Sequence, residues 1–119
     1  MDVAFDNSSG TFILRVSGNM RLWSREEGNE RLVDLLRARE HLPKRMILNL
    51  AQVEHIDSLG VGALSRVLLE CGKQEIDLKV VLPAGMAGKV LKAVHIFDAC
   101  TAFPDEAAAV RASSETSAE

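Results

Sequence analysis

The chain has 119 residues, of which 47% are hydrophobic and 4% aromatic, with a formal net charge of −3. That length makes one domain, with a core able to bury roughly two thirds of the unfolded surface. A mildly acidic chain without tyrosine, and with no basic stripe among its aromatics, is not a dedicated nucleic-acid binder. No apolar stretch reaches the ~18 residues of a membrane span, and the N-terminal MDVAFDNSSG lacks the basic-then-apolar pattern of a secretory signal, so a cytoplasmic location is the expectation.

Residues 3–6 and 11–17 read as two strands around the polar turn Asn7-Ser8-Ser9-Gly10. Phe12, Leu14 and Val16 alternate with Thr11, Arg15 and Ser17, the period of a half-buried strand; Ile13 interrupts the polar face, which predicts that this face is partly covered too. Ser24-Arg25-Glu26-Glu27 has the form of a capping box and opens a helix over about 25–40, just after the sole tryptophan, Trp23. The apolar run RMILNL, 45–50, suits a strand covered on both faces. A brief connection through Val53 and Ile56 leads to a helix over about 59–74, with Val61, Leu64, Leu68 and Cys71 inward.

DLKVVL, 77–82, is the next strand and Pro83 ends it. A short helix over 86–94 is predicted with Met86, Val90, Leu91 and Val94 inward, CTAF at 100–103 is an edge strand, and Pro104 takes the first helical position of PDEAAAV. The domain is expected over 1–112, with 113–119 a disordered polar tail. Cys71 and Cys100, the only cysteines, lack CxxC spacing and read as buried reduced thiols, with a disulfide or metal pair as the alternative. The order is β-β-α-β-α-β-α-β-α: an α/β domain with a mixed sheet of about 4–5 strands and about 4 helices, parallel in its later strands. In such sheets the loops at the strands' C-terminal ends carry function.

HIDSLGVGAL, 55–64, stands at such an end. Ser58 reads as a helix cap or as something more. Capping accounts for a serine, but Gly60 and Gly62 each cost about 0.8–1 kcal/mol relative to alanine in a helix. Two glycines beside an exposed hydroxyl fit a surface that a protein partner approaches closely. A phosphate on Ser58 would add about −1.5 to −2 charges at a helix N-terminus, where the dipole tolerates it. A close interface beside Asp57 would not.

The stretch ILNLAQVEHIDSLGVGAL resembles the core motif of the STAS domain, above all that of bacterial anti-sigma-factor antagonists. LRVSGNM, IDLKVVLPAGMAGKVLKAVHIFDAC and FPDEAAAV extend the likeness over almost the whole chain. The resemblance implies that Ser58 is the phosphoacceptor of an anti-sigma serine kinase with the fold of histidine-kinase-like ATPases. Asp57, Leu59, Gly60, Val61 and Gly62 would form the partner surface, with Asn19 and Arg21 after Gly18 close by. Unphosphorylated, the domain would bind the kinase and release a sigma factor; phosphorylated, it would let go until a serine phosphatase resets it. It would be no enzyme, hold no cofactor or metal and touch no nucleic acid directly. Asn19-Met20-Arg21 and Leu59 depart from the family pattern, which commonly has an acidic residue after the glycine and a small hydroxyl residue after the serine.

Two other readings compete. An enzyme built on Ser58 with His55 or His95 lacks a G-x-S-x-G elbow, and His41, His55 and His95 have no metal-ligand spacing. An accessory or scaffold role, in a lipid-transport ABC system or a signalling assembly, keeps the fold and leaves Ser58 unmodified.

Overall fold

The computed structural model describes residues 2–8, 11–20 and 44–117. Strands β1 (Asp2–Ser8) and β2 (Thr11–Met20) form the expected hairpin, each longer than its apolar alternation, with Ser8 paired to Thr11 across the turn. The helix expected over 25–40, Trp23, His41 and Arg21 lie outside the described residues. β3 (Arg45–Ile56), β4 (Asp77–Val81) and β5 (Thr101–Phe103) complete a five-stranded sheet of order β1-β2-β3-β4-β5. Every pairing after the hairpin is parallel, a geometry that needs a long crossover connection between successive strands.

The strand predicted over 45–50 continues to Ile56, so there is no brief connection through Val53 and Ile56. Two register shifts explain why the extension is hidden. Arg15 pairs with Asn49 but Ser17 with Gln52, and Gly18 pairs with Val53 but Asn19 with His55, so β3 carries an extra residue twice. Each bulge moves the alternation by one position. Leu50, Val53 and Ile56, three residues apart, therefore all reach one core cluster, a spacing that does not read as a strand in sequence.

Three helices are described: α1 (Ser58–Lys73), α2 (Gly85–Val94) and α3 (Glu106–Ser117). In α1 the buried face runs through Gly60, Ala63, Leu64, Val67 and Cys71, while Val61 and Leu68 are only partly covered; the inward face is rotated from the one predicted. In α2 the correction is larger. Ala87, Gly88 and Leu91 are buried, whereas Met86 is 68% and Val94 43% exposed. A Cβ on Gly88 would collide with the Pro83 carbonyl oxygen, so the helix approaches the chain through its smallest residues and its bulkier ones turn outward. Glu106, not Pro104, is the first residue of α3, and Asp105 caps it: its carboxylate accepts from the Ala108 amide at 2.8 Å and its carbonyl from Ala109 at 3.3 Å. That helix runs on to Ser117, past the start of the expected tail.

The sheet is covered on both faces. Phe12, Leu14, Val16, Met46, Leu48, Leu78 and Val80 point to the side of α1 and α2 and form the main core with Leu64, Val67 and Leu91. Ile13, Ile47 and Val81 point the other way and meet Ala109 of α3. The partial cover predicted from Ile13 is thus supplied by the last helix.

Candidate functional site

The pairing of β3 with β4 stops at Asn49 and Val81, but its pairing with β2 continues to Ile56 and Met20. The last turn of the sheet is therefore a two-stranded projection. Gly18 has φ +90°, a conformation that strongly favours glycine, and the second register shift follows it. This places Asn19 beside His55, immediately before Asp57 and Ser58 in space as well as in sequence. The structure so brings Asn19 to the motif from a strand 38 positions away; Arg21 is outside the described residues.

Asp57, not Ser58, caps α1. Its backbone is extended and its Oδ1 accepts from the Leu59 and Gly60 amides, both at 3.1 Å. Its carbonyl accepts from Val61 at 2.9 Å, the first bond of the helix. Two orphan donors are thereby satisfied by a carboxylate, which also faces the positive end of the helix dipole. Ser58 becomes the first helical residue and is exposed. Among the described residues none takes its hydroxyl in a hydrogen bond.

The remaining motif residues divide sharply. Leu59 is 46% exposed, an apolar side chain presented to solvent beside the serine. Gly60 is buried and Val61 half-buried, which removes Gly60 from the surface it was expected to form; its amide serves the cap instead. Gly62 is exposed, and a Cβ there would meet nothing within 4 Å. Its bareness serves no internal packing. Ser58, Leu59 and Gly62 together make a small outward platform of one hydroxyl, one apolar side chain and one stretch of naked backbone.

His55 is exposed at the end of β3, and His95 is exposed and paired to Asp98 at 2.8 Å. Among the described residues, no three His, Cys, Asp or Glu side chains gather to hold a metal ion, and no helix is long and apolar enough to cross a membrane.

A polar cluster that the sequence reading did not anticipate lies on the α3 side of the sheet. Arg15 donates to Glu106 through two nitrogens at 2.7 and 2.8 Å, and the Asn49 amide adds a third bond at 3.0 Å. Arg15 and Asn49 are register partners on β2 and β3. The bidentate Arg15 bond, reinforced by Asn49, holds the Glu106 carboxyl below the usual carboxylate range against the opposing effect of burial. The one signal in the sequence is Asn49, a lone polar residue inside an apolar run.

This fold and site can be set beside known proteins. The model of the STAS domain family matches residues 2–109. The structure of an anti-sigma factor antagonist from Mycobacterium paratuberculosis superposes with a TM-score of 0.75 at 18% identity, covering 93% of this chain and 92% of that one. The anti-sigma factor antagonist SpoIIAA in its unphosphorylated form gives a TM-score of 0.68 at 13% identity over 96% and 98% of the two chains. A sulfate transporter family protein from Wolinella succinogenes gives 0.64 at 24% identity over 77% and 72%. No curated protein matches the chain in sequence. With one family model matching residues 2–109, nearly the whole length, the chain belongs to the STAS domain family.

Proposed function

We propose that this STAS domain is an anti-sigma factor antagonist that works by partner switching, with Ser58 as its phosphoacceptor. The observation that carries the reading is the division of labour at the start of α1. Asp57 does the capping, so Ser58 has no structural task that phosphorylation would destroy. A partner kinase of the histidine-kinase-like ATPase fold docks on Ser58, Leu59 and Gly62, with Asn19 at the margin. Asp57 already occupies the Leu59 and Gly60 amides, so a phosphate on Ser58 finds those donors taken and a carboxylate beside it. The helix end still tolerates the charge, while a partner packed on Leu59 and Gly62 meets a hydrated dianion. The kinase then lets go, a sigma factor is recaptured, and a serine phosphatase restores binding. The domain itself performs no catalysis and operates in the cytoplasm.

The test uses the unmodified domain and its Ser58→Asp form as paired baits in lysate from the source cells, with mass spectrometry of what each retains. A small ATPase-fold kinase held by the unmodified domain and lost from Ser58→Asp is the expected outcome. The variant's stability should stay within about 1 kcal/mol, since an acid in the first turn suits the dipole. A transporter subunit held equally by both baits overturns the switch and makes the domain an accessory subunit. Gly62→Leu sharpens the test. With open space at that Cβ and a better helix former in place of glycine, folding should be unharmed while kinase retention falls.

A further inference from the structure

α1 carries Ser58 at its start and Cys71 near its end, roughly 20 Å along the helix axis. At that second end an open cleft of about 380 Å³ is lined by Leu68, Cys71, Ile76, Asp77, Ile96 and Cys100. Both thiols are free. Cys71 is 2% exposed and Cys100 half-buried. The backbone is anchored on both sides, with the Cys71 carbonyl accepting from Ile76 at 2.9 Å and the Cys100 amide donating to Phe97 at 3.0 Å. The cleft is thus a place where two cysteines from distant segments, one in α1 and one just before β5, line one space. They also sense each other: burial first, then the charge of Cys100, then Glu70 push the Cys71 thiol up to about 12. Burial and Asp77 raise Cys100 as well.

We propose that Cys71 and Cys100 form a reversible intramolecular disulfide when the domain meets a hydroperoxide, closing this cleft and tying the end of α1 to the segment that enters β5. Cys100, the more accessible thiol, reacts first. Its sulfur attacks the peroxide, the O–O bond breaks, a sulfenic acid forms on Cys100 and the other peroxide oxygen leaves as alcohol or water. The Cys71 sulfur then attacks the Cys100 sulfur, and the sulfenic oxygen departs as water with the thiol proton. Two electrons pass from the two sulfurs to the peroxide. The scarcity of thiolate at both sites makes the clasp slow to form, a response to sustained oxidation and not to a passing pulse. It touches no atom of Ser58.

The experiment treats the reduced full chain, at a dilution where it is monomeric, with hydrogen peroxide. The expected result is a mass lower by about 2 Da, a Cys71–Cys100 linked peptide in the digest, and a melting temperature raised on the order of 10 °C by the ~30-residue loop closed. Dithiothreitol should reverse all three, and Cys100→Ser should abolish them. Disulfides between chains, added oxygen on Cys100 without the mass loss, or unreacted thiols each overturn the proposal. Mapping on the unsubstituted chain decides the matter even where a cysteine variant folds poorly.

Discussion

The two faces of the sheet are held by different physics. On one, α1 and α2 cover a continuous apolar cluster in which Leu14, Met46, Leu48, Leu50 and Leu64 have no exposed surface. On the other, among the described residues, α3 meets Ile13, Ile47 and Val81 through Ala109, supported by Phe103 and Val110, and is pinned at its start by the Arg15–Glu106–Asn49 bonds. A face with enough apolar area needs no directional contact to choose its helix position. A face with little needs one, because a few methyl groups specify neither register nor angle.

Neighbours on β3 offer the most direct way to break this contrast. Leu48 and Ile47 are both 0% exposed and point to opposite faces. Leu48→Ala should cost about 4 kcal/mol and Ile47→Ala about 2–3, since the small cluster under α3 relaxes into the gap more easily than the large one under α1 and α2. Equal losses in denaturant unfolding would mean that both faces are packed alike. Gly88→Ala should come next, at about 2 kcal/mol, because the added carbon meets the backbone oxygen of Pro83 and α2 must lift from the deep core. A neutral result would show that α2 floats.

Glu106→Gln has the smallest expected effect, about 1 kcal/mol or less, because the Arg15 side chain is 40% exposed and its ion pair is screened. Its pH signature is more telling than its size. The Glu106 carboxyl sits below its ordinary range in the folded domain. Its contribution is therefore present above the carboxylate's unfolded value and is lost as pH falls through that value toward the lowered one. The stability gap between the unsubstituted chain and Glu106→Gln should be flat near neutrality and close at pH below about 4. A gap that survives in acid would assign the role of Glu106 to shape and not to charge.

Much of this was legible from local pattern. The alternation through Phe12, Leu14 and Val16 marked β2, and the lone Ile13 correctly announced a second covered face. The apolar run after Arg45 marked a strand buried on both sides, and the polar Asp-Ser pair after it marked a helix start. What misled the reading was geometry made by a neighbour. The bulges against β2 put Val53 and Ile56 in the core at a spacing of three. The Pro83 carbonyl made the small residues of α2 the inward ones and sent Met86 and Val94 outside. Asp57 and Ser58 are both good caps by type, and only the backbone's extended geometry at Asp57 decides which of them serves.

By itself the sequence determined the order of the described elements, the mixed sheet and the position of the motif at a strand's C-terminal end, because hydrophobic period and helix-start chemistry are properties of neighbouring residues. Tertiary structure alone decided that Ser58 is released from capping, that Gly60 is buried while Gly62 is bare, that Asn19 lies beside the motif, and that Arg15 finds Glu106 91 positions away. Those outcomes depend on register, bulges and crossover geometry, which bring together groups that no local pattern connects.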